Sequence, residues 1–306
     1  MLSRSLLPLL CALSGTLAFS NLHAAEPPPR RGPAALPEGV RTVRDLAYGQ
    51  AGGRELALDL YLPPGEGAKP LIIWVHGGAW RAGDRRGPSP ALALLADGYA
   101  VAHISYRLSQ TAKWPAQIED CKAAVRWLRA NAEKYRLDPK RFAAWGSSAG
   151  GHLVAMLGTS GGVAALDGAT NDVKASASVQ AVVDWFGPTD FLQMNNAGST
   201  MNHDAPDSPE SQLIGAPIQQ NKDAAAKANP ITYIGRGEAP PPFLIMHGTR
   251  DPLVPFAQSE LLATALKTAG ADVTLRPVPN AGHGFGGEAN LAPVREFLAR
   301  ALARGK

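Results

Sequence analysis

The amino-acid sequence predicts an α/β fold, with a mostly parallel central sheet, helices on both faces and a small cap inserted at about residues 192–242. From residue 71 onward, short runs that are apolar throughout alternate with segments of helical periodicity. This alternation is typical of a parallel sheet covered on both faces. Glycine-rich segments follow several of these runs directly. The interval 192–242 is long, polar and rich in Asn, Ala and Pro, and a connection of this length is usually functional or mobile.

The first 25 residues differ in composition from the rest of the chain. Arg4 is their one charged residue, and an apolar stretch runs from Leu6 to Ala18. That stretch is shorter than the roughly 20 residues that a membrane-spanning helix needs. Small residues follow at Ala24 and Ala25, so the pattern predicts a signal peptide over residues 1–25. We therefore expect export to the periplasm or the extracellular space, with no stable membrane anchor.

The next segments predict a tether and a hairpin. Residues 26–39 contain five prolines, which exclude a regular helix or a central strand and indicate a tether. The main domain, residues 40–306, begins with two stretches of alternating polarity, 40–48 and 55–62, which are joined by a glycine-rich turn. This pattern predicts an antiparallel hairpin.

Six continuously apolar runs predict the remaining strands, at residues 71–75, 99–105, 142–145, 179–186, 243–247 and 272–278. Between the second and third runs, residues 114–135 carry apolar side chains at helical spacing. Cys121 lies in this apolar pattern, and we expect it to be a buried structural thiol.

Composition limits the possible partners. The 306-residue chain is 45% hydrophobic and 18% charged, which allows a large core. The formal net charge is +4, but Lys and Arg are scattered, with no run longer than two. A concentrated basic patch is therefore absent from the sequence, and we expect no nucleic-acid partner. Neither repeats nor a second domain are indicated, and the oligomeric state stays open.

One glycine-rich segment has the pattern of a nucleophile turn. Residues 146–151 read Gly-Ser-Ser-Ala-Gly-Gly, directly after a predicted strand and before a helical pattern. In a strand-to-helix elbow, the nucleophile stands at the apex with a glycine two residues before it and another two after it. Ser148 fits this position, whereas Ser147 does not. A glycine-rich turn without chemistry fits the same five residues, so other loops have to decide.

Three further strand exits carry the residues that such a nucleophile needs. Gly77 and Gly78 follow the first parallel strand, and their N–H groups, with that of Ala149, are candidate donors to an oxyanion. Asp251 and His283 follow the last two strands and are the candidate acid and base. The acid position has an alternative in Asp190, after the strand that follows the serine helix.

Together these segments resemble the α/β-hydrolase esterases with an HGG oxyanion loop, and most of all the bacterial feruloyl-esterase-like and acetyl-xylan-esterase-like group. The resemblance covers nearly all of the chain from about Asp45, and rests on His-Gly-Gly-Ala-Trp at 76–80, Gly-Ser-Ser-Ala-Gly-Gly at 146–151, Gly-Pro-Thr-Asp at 187–190, His-Gly-Thr-Arg-Asp at 247–251 and Gly-His-Gly-Phe at 282–285. The order serine, acid, histidine is that of the α/β-hydrolase fold. The resemblance implies a serine carboxylic ester hydrolase with Ser148, Asp251 and His283 as its triad. Ala79 departs from the third glycine of many relatives but still offers an N–H group.

The substrate is less well defined by the sequence. Trp80, Trp185 and Phe285 lie beside the predicted site and suggest an aromatic pocket, which favours short-chain or aromatic acyl esters of acetyl or feruloyl type, free or linked to polysaccharide. The same residues fit an ordinary core. No metal or other cofactor is expected, because the histidines lack ligand spacing, and His203 in the cap is expected to be exposed. An amide hydrolase of formamidase or peptidase type on the same triad, or a non-catalytic binding protein on this scaffold, remains an alternative.

Overall fold

An eight-stranded sheet forms the centre of the molecule. The computed structural model describes residues 36–195 and 198–303, so the predicted signal peptide, residues 1–25, and most of the tether lie outside the described residues. The strands are β1 Arg41–Ala51, β2 Arg54–Leu62, β3 Lys69–Val75, β4 Ala100–Ile104, β5 Leu137–Ser147, β6 Ala181–Trp185, β7 Phe243–Gly248 and β8 Val273–Val278.

The strand order across the sheet is β1-β2-β4-β3-β5-β6-β7-β8. The pairs β1–β2 and β2–β4 are antiparallel, and all other neighbours are parallel. The predicted hairpin and the mostly parallel sheet are therefore confirmed. Because β3, β5, β6, β7 and β8 run in the same direction, their carboxyl ends meet at one edge of the sheet. Ligand sites of open α/β sheets lie at such an edge.

Helices cover both faces of the sheet. They are α1 Ala116–Ala130, α2 Ala132–Tyr135, α3 Ala149–Thr159, α4 Pro209–Ile214, α5 Lys222–Ala226, α6 Ala257–Thr268 and α7 Glu288–Ala301. The side chains of β3 alternate between two cores: Ile73 packs with residues of α1, α3 and α6, whereas Ile72 and Trp74 pack with residues of α7. This alternation follows from the two-residue period of a strand. Cys121 of α1 is fully buried, as predicted.

The cap, defined here as residues 192–242, connects β6 to β7. It contains α4, α5 and short 3₁₀ helices at Ile218–Gln220 and Pro230–Tyr233. Leu213 and Ile218 of the cap are fully buried in the core on the α1–α3 face, so the cap is packed onto the domain. Among the described residues, no helix has the length and hydropathy that crossing a membrane requires.

Candidate active site

Ser148 lies at the turn between β5 and α3. Its φ angle is +55°, in the left-handed region that residues other than glycine rarely adopt. The neighbouring backbone leaves no room for side chains on either side, because a Cβ at Gly146 would overlap the carbonyl group of Gly150 and a Cβ at Gly150 would overlap that of Val75. The two glycines therefore let α3 approach the ends of β5 and β3 closely. The turn holds Ser148 at the carboxyl edge of the sheet.

Three side chains at this edge form a continuous hydrogen-bonded chain. Ser148 follows β5, Asp251 follows β7 and His283 follows β8. His283 Nε2 lies 2.9 Å from Ser148 Oγ, and His283 Nδ1 lies 2.7 Å from Asp251 Oδ2. Because an ionised carboxylate only accepts hydrogen bonds, Nδ1 carries the proton and Nε2 accepts from the serine hydroxyl. The structure thus brings the three predicted residues together, and of the two adjacent serines it is Ser148 that contacts the histidine.

The Asp251 carboxylate accepts several hydrogen bonds. Its Oδ1 accepts from the backbone N–H groups of Leu253 at 2.9 Å and Val254 at 3.0 Å. Its Oδ2 contacts His283 and also lies 3.2 Å from His247 Nε2. Burial by itself raises the pKa of Asp251, but the hydrogen bonds from His247 and His283 outweigh burial and hold the pKa well below its ordinary value. Asp251 is therefore ionised at neutral pH and favours a proton on the facing imidazole.

The predicted oxyanion donors surround Ser148. A Cβ at Gly77 would lie 3.3 Å from the Cβ of Ser148, so this loop after β3 runs directly against the serine. Among the described residues, no backbone carbonyl accepts from the N–H of Gly77 or Gly78. Ala149 is the first residue of α3, where a backbone N–H has no partner within the helix. All three residues line the same cavity as Ser148, with N–H donors of the type that stabilises an oxyanion.

That cavity has a volume of about 360 Å³ and also adjoins His283. Its walls come from the sheet edge and from the cap, and most of them are apolar, with contributions from Trp80, Phe186, Pro188, Met201, Pro209, Leu253 and Val254. Of the three aromatic residues predicted for the pocket, Trp80 lines it. Trp185 and Phe285 instead pack against each other, with ring centroids 4.7 Å apart, in the core on the α7 face. The neighbouring Phe186 is the aromatic residue that lines the cavity beside Trp80.

Three other polar residues near the site have structural contacts. Asp190 caps a short helix and lies outside the hydrogen-bonded chain of Ser148, His283 and Asp251. His152 of α3 is fully buried, and its Nε2–H donates to the carbonyl oxygen of Ala228 in the cap at 2.6 Å. Burial lowers the pKa of His152 to about 4. Burial also raises the pKa of Asp184 to about 6, and its Oδ1 accepts from the backbone N–H of Gly187 at 2.9 Å.

The expectation that His203 is exposed is wrong. Its relative exposure is 2%, because its ring lies between Glu210 and the loop after β7. His203 Nδ1 is 3.0 Å from Glu210 Oε1, and Nε2 donates to the carbonyl oxygen of Leu253 at 2.9 Å. Both His203 and Glu210 line the cavity beside Ser148.

Sequence reasoning missed three residues of the site. His247 was visible, since it stands four residues before Asp251 at the end of a predicted strand. Phe186, at the end of the predicted strand 179–186, and Glu210 carried no signal that places either of them in the cavity wall. Among residues 36–195 and 198–303, no cluster of three or more His, Cys, Asp and Glu side chains with the geometry of a metal site occurs.

The α/β hydrolases bring a serine, an acid and a histidine together in this chain order and at this edge of the sheet, and the fold and site described above fall in that class. Within it, the chain belongs to the BD-FAE family, whose model matches residues 58–266.

Comparison with individual proteins gives the same class. The chain is 36% identical to esterase LipQ of Mycobacterium tuberculosis over 248 residues, which cover 79% of this chain and 56% of LipQ. It spans about half to two thirds of the length of the curated esterases LipQ, LipM and LipC.

Two solved structures are similar over their whole length. A truncated carbohydrate esterase from gut microbiota has a TM-score of 0.81 at 33% identity, covering 90% of this chain and 100% of that one. An esterase of the Planctomycetes species Thermogutta terrifontis, solved with butyrate bound, has a TM-score of 0.67 at 26% identity, covering 88% of this chain and 97% of that one.

Proposed function

We propose that the protein is a serine carboxylic ester hydrolase that acts through an acyl-enzyme on Ser148. The observation that carries the proposal is the continuous hydrogen-bonded chain from Ser148 Oγ through the His283 ring to the Asp251 carboxylate. A serine hydroxyl is a weak nucleophile unless an adjacent base takes its proton. Here the base is in hydrogen-bond contact and an ionised acid orients it.

In the first half of the proposed reaction, Ser148 Oγ forms a bond to the ester carbonyl carbon while His283 Nε2 takes the hydroxyl proton. The negative charge that develops on the carbonyl oxygen is stabilised by the N–H groups of Gly77, Gly78 and Ala149. Collapse of this intermediate breaks the bond to the alcohol, which leaves with the proton from His283. Asp251 keeps the Nδ1 proton in place and stabilises the imidazolium, without becoming protonated itself.

In the second half, water attacks the acyl-enzyme and gives its proton to His283 Nε2. The carboxylic acid is released and Ser148 regains its proton. Two chemical steps of moderate difficulty thus replace one difficult step.

For the substrate, we propose esters with a short-chain or aromatic acyl group, of acetyl or feruloyl type. The cavity of about 360 Å³ has apolar walls that include Trp80 and Phe186, which suits a compact apolar acyl group. The similarity to a carbohydrate esterase and to an esterase solved with butyrate supports a short acyl chain and a sugar-linked ester. We also propose that the enzyme is exported, on the pattern of residues 1–25.

A panel of substrates tests this function. We expect kcat/KM for p-nitrophenyl esters to be highest at acetate to butyrate and to fall for octanoate and longer chains, because the cavity is small. Methyl ferulate and acetylated xylan test the two acyl types directly. Cleavage of the matching anilides at rates equal to the esters would instead support an amide hydrolase, and no cleavage of any of these compounds would refute the proposal.

A further inference from the structure

Two cap residues add a charged pair to the apolar wall of the cavity. The side chains of His203 and Glu210 are 3% and 4% exposed, and His203 Nδ1 lies 3.0 Å from Glu210 Oε1. His203 Nε2 lies 2.9 Å from both the Leu253 carbonyl oxygen and the Ser199 hydroxyl. Because that hydroxyl donates to the same carbonyl, which only accepts, Nε2 carries a proton. Burial lowers the pKa of His203, but the contact with Glu210 outweighs burial and leaves the pKa above its ordinary value. The contact therefore favours a proton on the His203 nitrogen that faces the Glu210 carboxyl group.

Two buried atoms of this pair have no hydrogen-bond partner in the part of the chain that the structure describes: Glu210 Oε2 and His203 Nδ1. The 3.0 Å contact between Nδ1 and Glu210 Oε1 is an ion-pair distance without hydrogen-bond geometry. A buried acceptor without a donor is costly, so a hydrogen bond from a ligand to Glu210 would be favourable. The terminal torsion of glutamate is broad and roughly two-fold, so either oxygen can take the His203 contact while the other meets a ligand. Glu210 is thus an acceptor in the cavity wall with capacity for one more donor.

The position of Glu210 relates this acceptor to the reacting serine. Glu210 and Ser148 line the same cavity, whose volume of about 360 Å³ lies at the lower end of the range for ligand pockets, roughly 300–1,000 Å³. A substrate that fills this cavity therefore lies beside both Ser148 and Glu210. In ligand pockets with mostly apolar walls, the few polar groups fix the orientation of the ligand.

We propose that Glu210 is a specificity-determining residue that accepts a hydrogen bond from a hydroxyl group of the ester substrate. The inference rests on the proposed function, since it takes Ser148 as the group that attacks the same molecule. A neutral hydroxyl fits better than an ammonium group, because the His203 ring already faces Glu210 at ion-pair distance. The hydroxyl is either a phenol on the acyl group or a sugar hydroxyl on the alcohol, and both offer the same O–H donor.

Matched pairs of esters test the proposal on the unmodified enzyme. One pair is methyl p-coumarate and methyl cinnamate, which differ by the phenolic hydroxyl. The other is monoacetylated methyl xyloside and tetrahydropyran-3-yl acetate, which differ by the sugar hydroxyls and the glycosidic methoxy group. We expect kcat/KM to be roughly tenfold or more higher for the hydroxylated member of one pair, the size of a hydrogen bond to a charged group. The pair that shows the preference identifies the source of the hydroxyl, and equal rates within both pairs would overturn the proposal.

The variant Glu210→Gln assigns the preference to this residue. It keeps the size of the side chain but removes the anionic acceptor, so we expect the ratio of kcat/KM between the hydroxylated and deoxy esters to fall to within about threefold of unity, mainly through KM. The ratio cancels any general disturbance of the cap. Glu296→Gln, at an exposed position on α7, is the matched control and should keep the wild-type ratio.

Two results of these experiments would contradict the inference. An unchanged ratio in Glu210→Gln would refute it while leaving ester hydrolysis intact, since p-nitrophenyl acetate, which has no hydroxyl, reports the hydrolytic activity separately. Failure of the wild-type enzyme to cleave p-nitrophenyl acetate and all four test esters would refute both the inference and the proposed function. If Glu210→Gln does not fold, the wild-type pairs still decide whether the pocket selects a hydroxyl.

Discussion

The sheet edge and the cap both line the cavity, but the positions of their residues are determined in different ways. At the sheet edge, geometry is determined by residues close together in the sequence: Ser148 is in the left-handed region, and Gly146 and Gly150 flank it within two residues. In the cap, position depends on contacts between distant residues, such as the hydrogen bond from Trp114 Nε1 to the carbonyl oxygen of Lys227 at 2.9 Å. The reacting groups therefore belong to local turns, whereas the groups that contact the rest of the substrate depend on long-range packing.

The two regions meet at the loop that carries Asp251. The Ser199 hydroxyl donates to the carbonyl oxygen of Leu253, and the backbone N–H of Thr200 donates to that of Pro252, each at 2.8 Å. The N–H of Leu253 in turn donates to Asp251 Oδ1. The cap therefore contacts the loop that orients the acid, as well as the wall of the cavity.

Among changes at the sheet edge and in the cap, we expect the largest loss of kcat from Ser148→Ala at the sheet edge. Removing the nucleophile should lower kcat by roughly 10⁶-fold, the size seen when a catalytic serine is removed from subtilisin, and leave only the residual rate that the oxyanion donors and substrate binding support. Covalent labelling by an organophosphonate, followed by mass spectrometry of the labelled peptide, measures the loss of the nucleophile directly.

The neighbouring serine is the control. Ser147→Ala should still be labelled and should retain most of its activity, because His283 contacts Ser148. An adduct on Ser147, or full turnover in Ser148→Ala, would show that the glycines mark an ordinary turn.

The next largest effect is expected from the acid, Asp251→Asn. The amide keeps the size of the side chain but stabilises the wrong imidazole tautomer, and the corresponding change in a serine protease lowers kcat by about 10⁴-fold. Asp190→Asn is the matched control, because Asp190 caps a short helix and should lose far less. Reversal of the two losses, measured by steady-state kinetics on p-nitrophenyl acetate, would make Asp190 the acid.

The sequence predicted the sheet edge much better than the cap. The mostly parallel sheet, the hairpin and the grouping of Ser148, Asp251 and His283 followed from short motifs, because each residue sits on a loop directly after a strand. Strand ends were less well predicted: β5 begins at Leu137 rather than at residue 142, since the start of this strand is partly exposed and lacks an apolar run.

The residues around the cavity could not be predicted in the same way. Phe186 directly follows β6, and both it and Trp185 at the end of that strand pack in the core on the α7 face. Phe186 lines the cavity, whereas Trp185 does not, and no pattern in the sequence indicates which of the two does so. His203 looked like an exposed cap residue, but its burial depends on Glu210 and on a carbonyl group some 50 residues away. Such pairings require the tertiary structure.

The contact between His152 and the cap connects the two regions and makes their attachment sensitive to acid. His152 lies on α3, beside the elbow, and its ring donates to Ala228 of the cap. Burial lowers its pKa in the folded protein to about 4, whereas in the unfolded chain a histidine has a pKa of about 6.5. As the pH falls below 6.5, the unfolded state takes up a proton that the folded state does not accept until about pH 4. The free energy of unfolding therefore decreases across this window.

His152→Gln is expected to remove this part of the pH dependence, which is the smallest of the three effects. Between pH 7.5 and pH 4.5, we expect the wild-type protein to lose roughly 2–3 kcal/mol more stability than the variant, from the two pKa values and 1.36 kcal/mol per pKa unit. Denaturant unfolding at the two pH values measures the difference.

Burial also lowers the pKa of His103 to about 4 and raises that of Asp184 to about 6, but both residues are present in both proteins, so their contributions cancel. The glutamine amide retains a donor for the Ala228 carbonyl, which separates the loss of titration from the loss of the hydrogen bond. Identical pH dependence in the two proteins would show that the contact between the sheet edge and the cap does not titrate through His152.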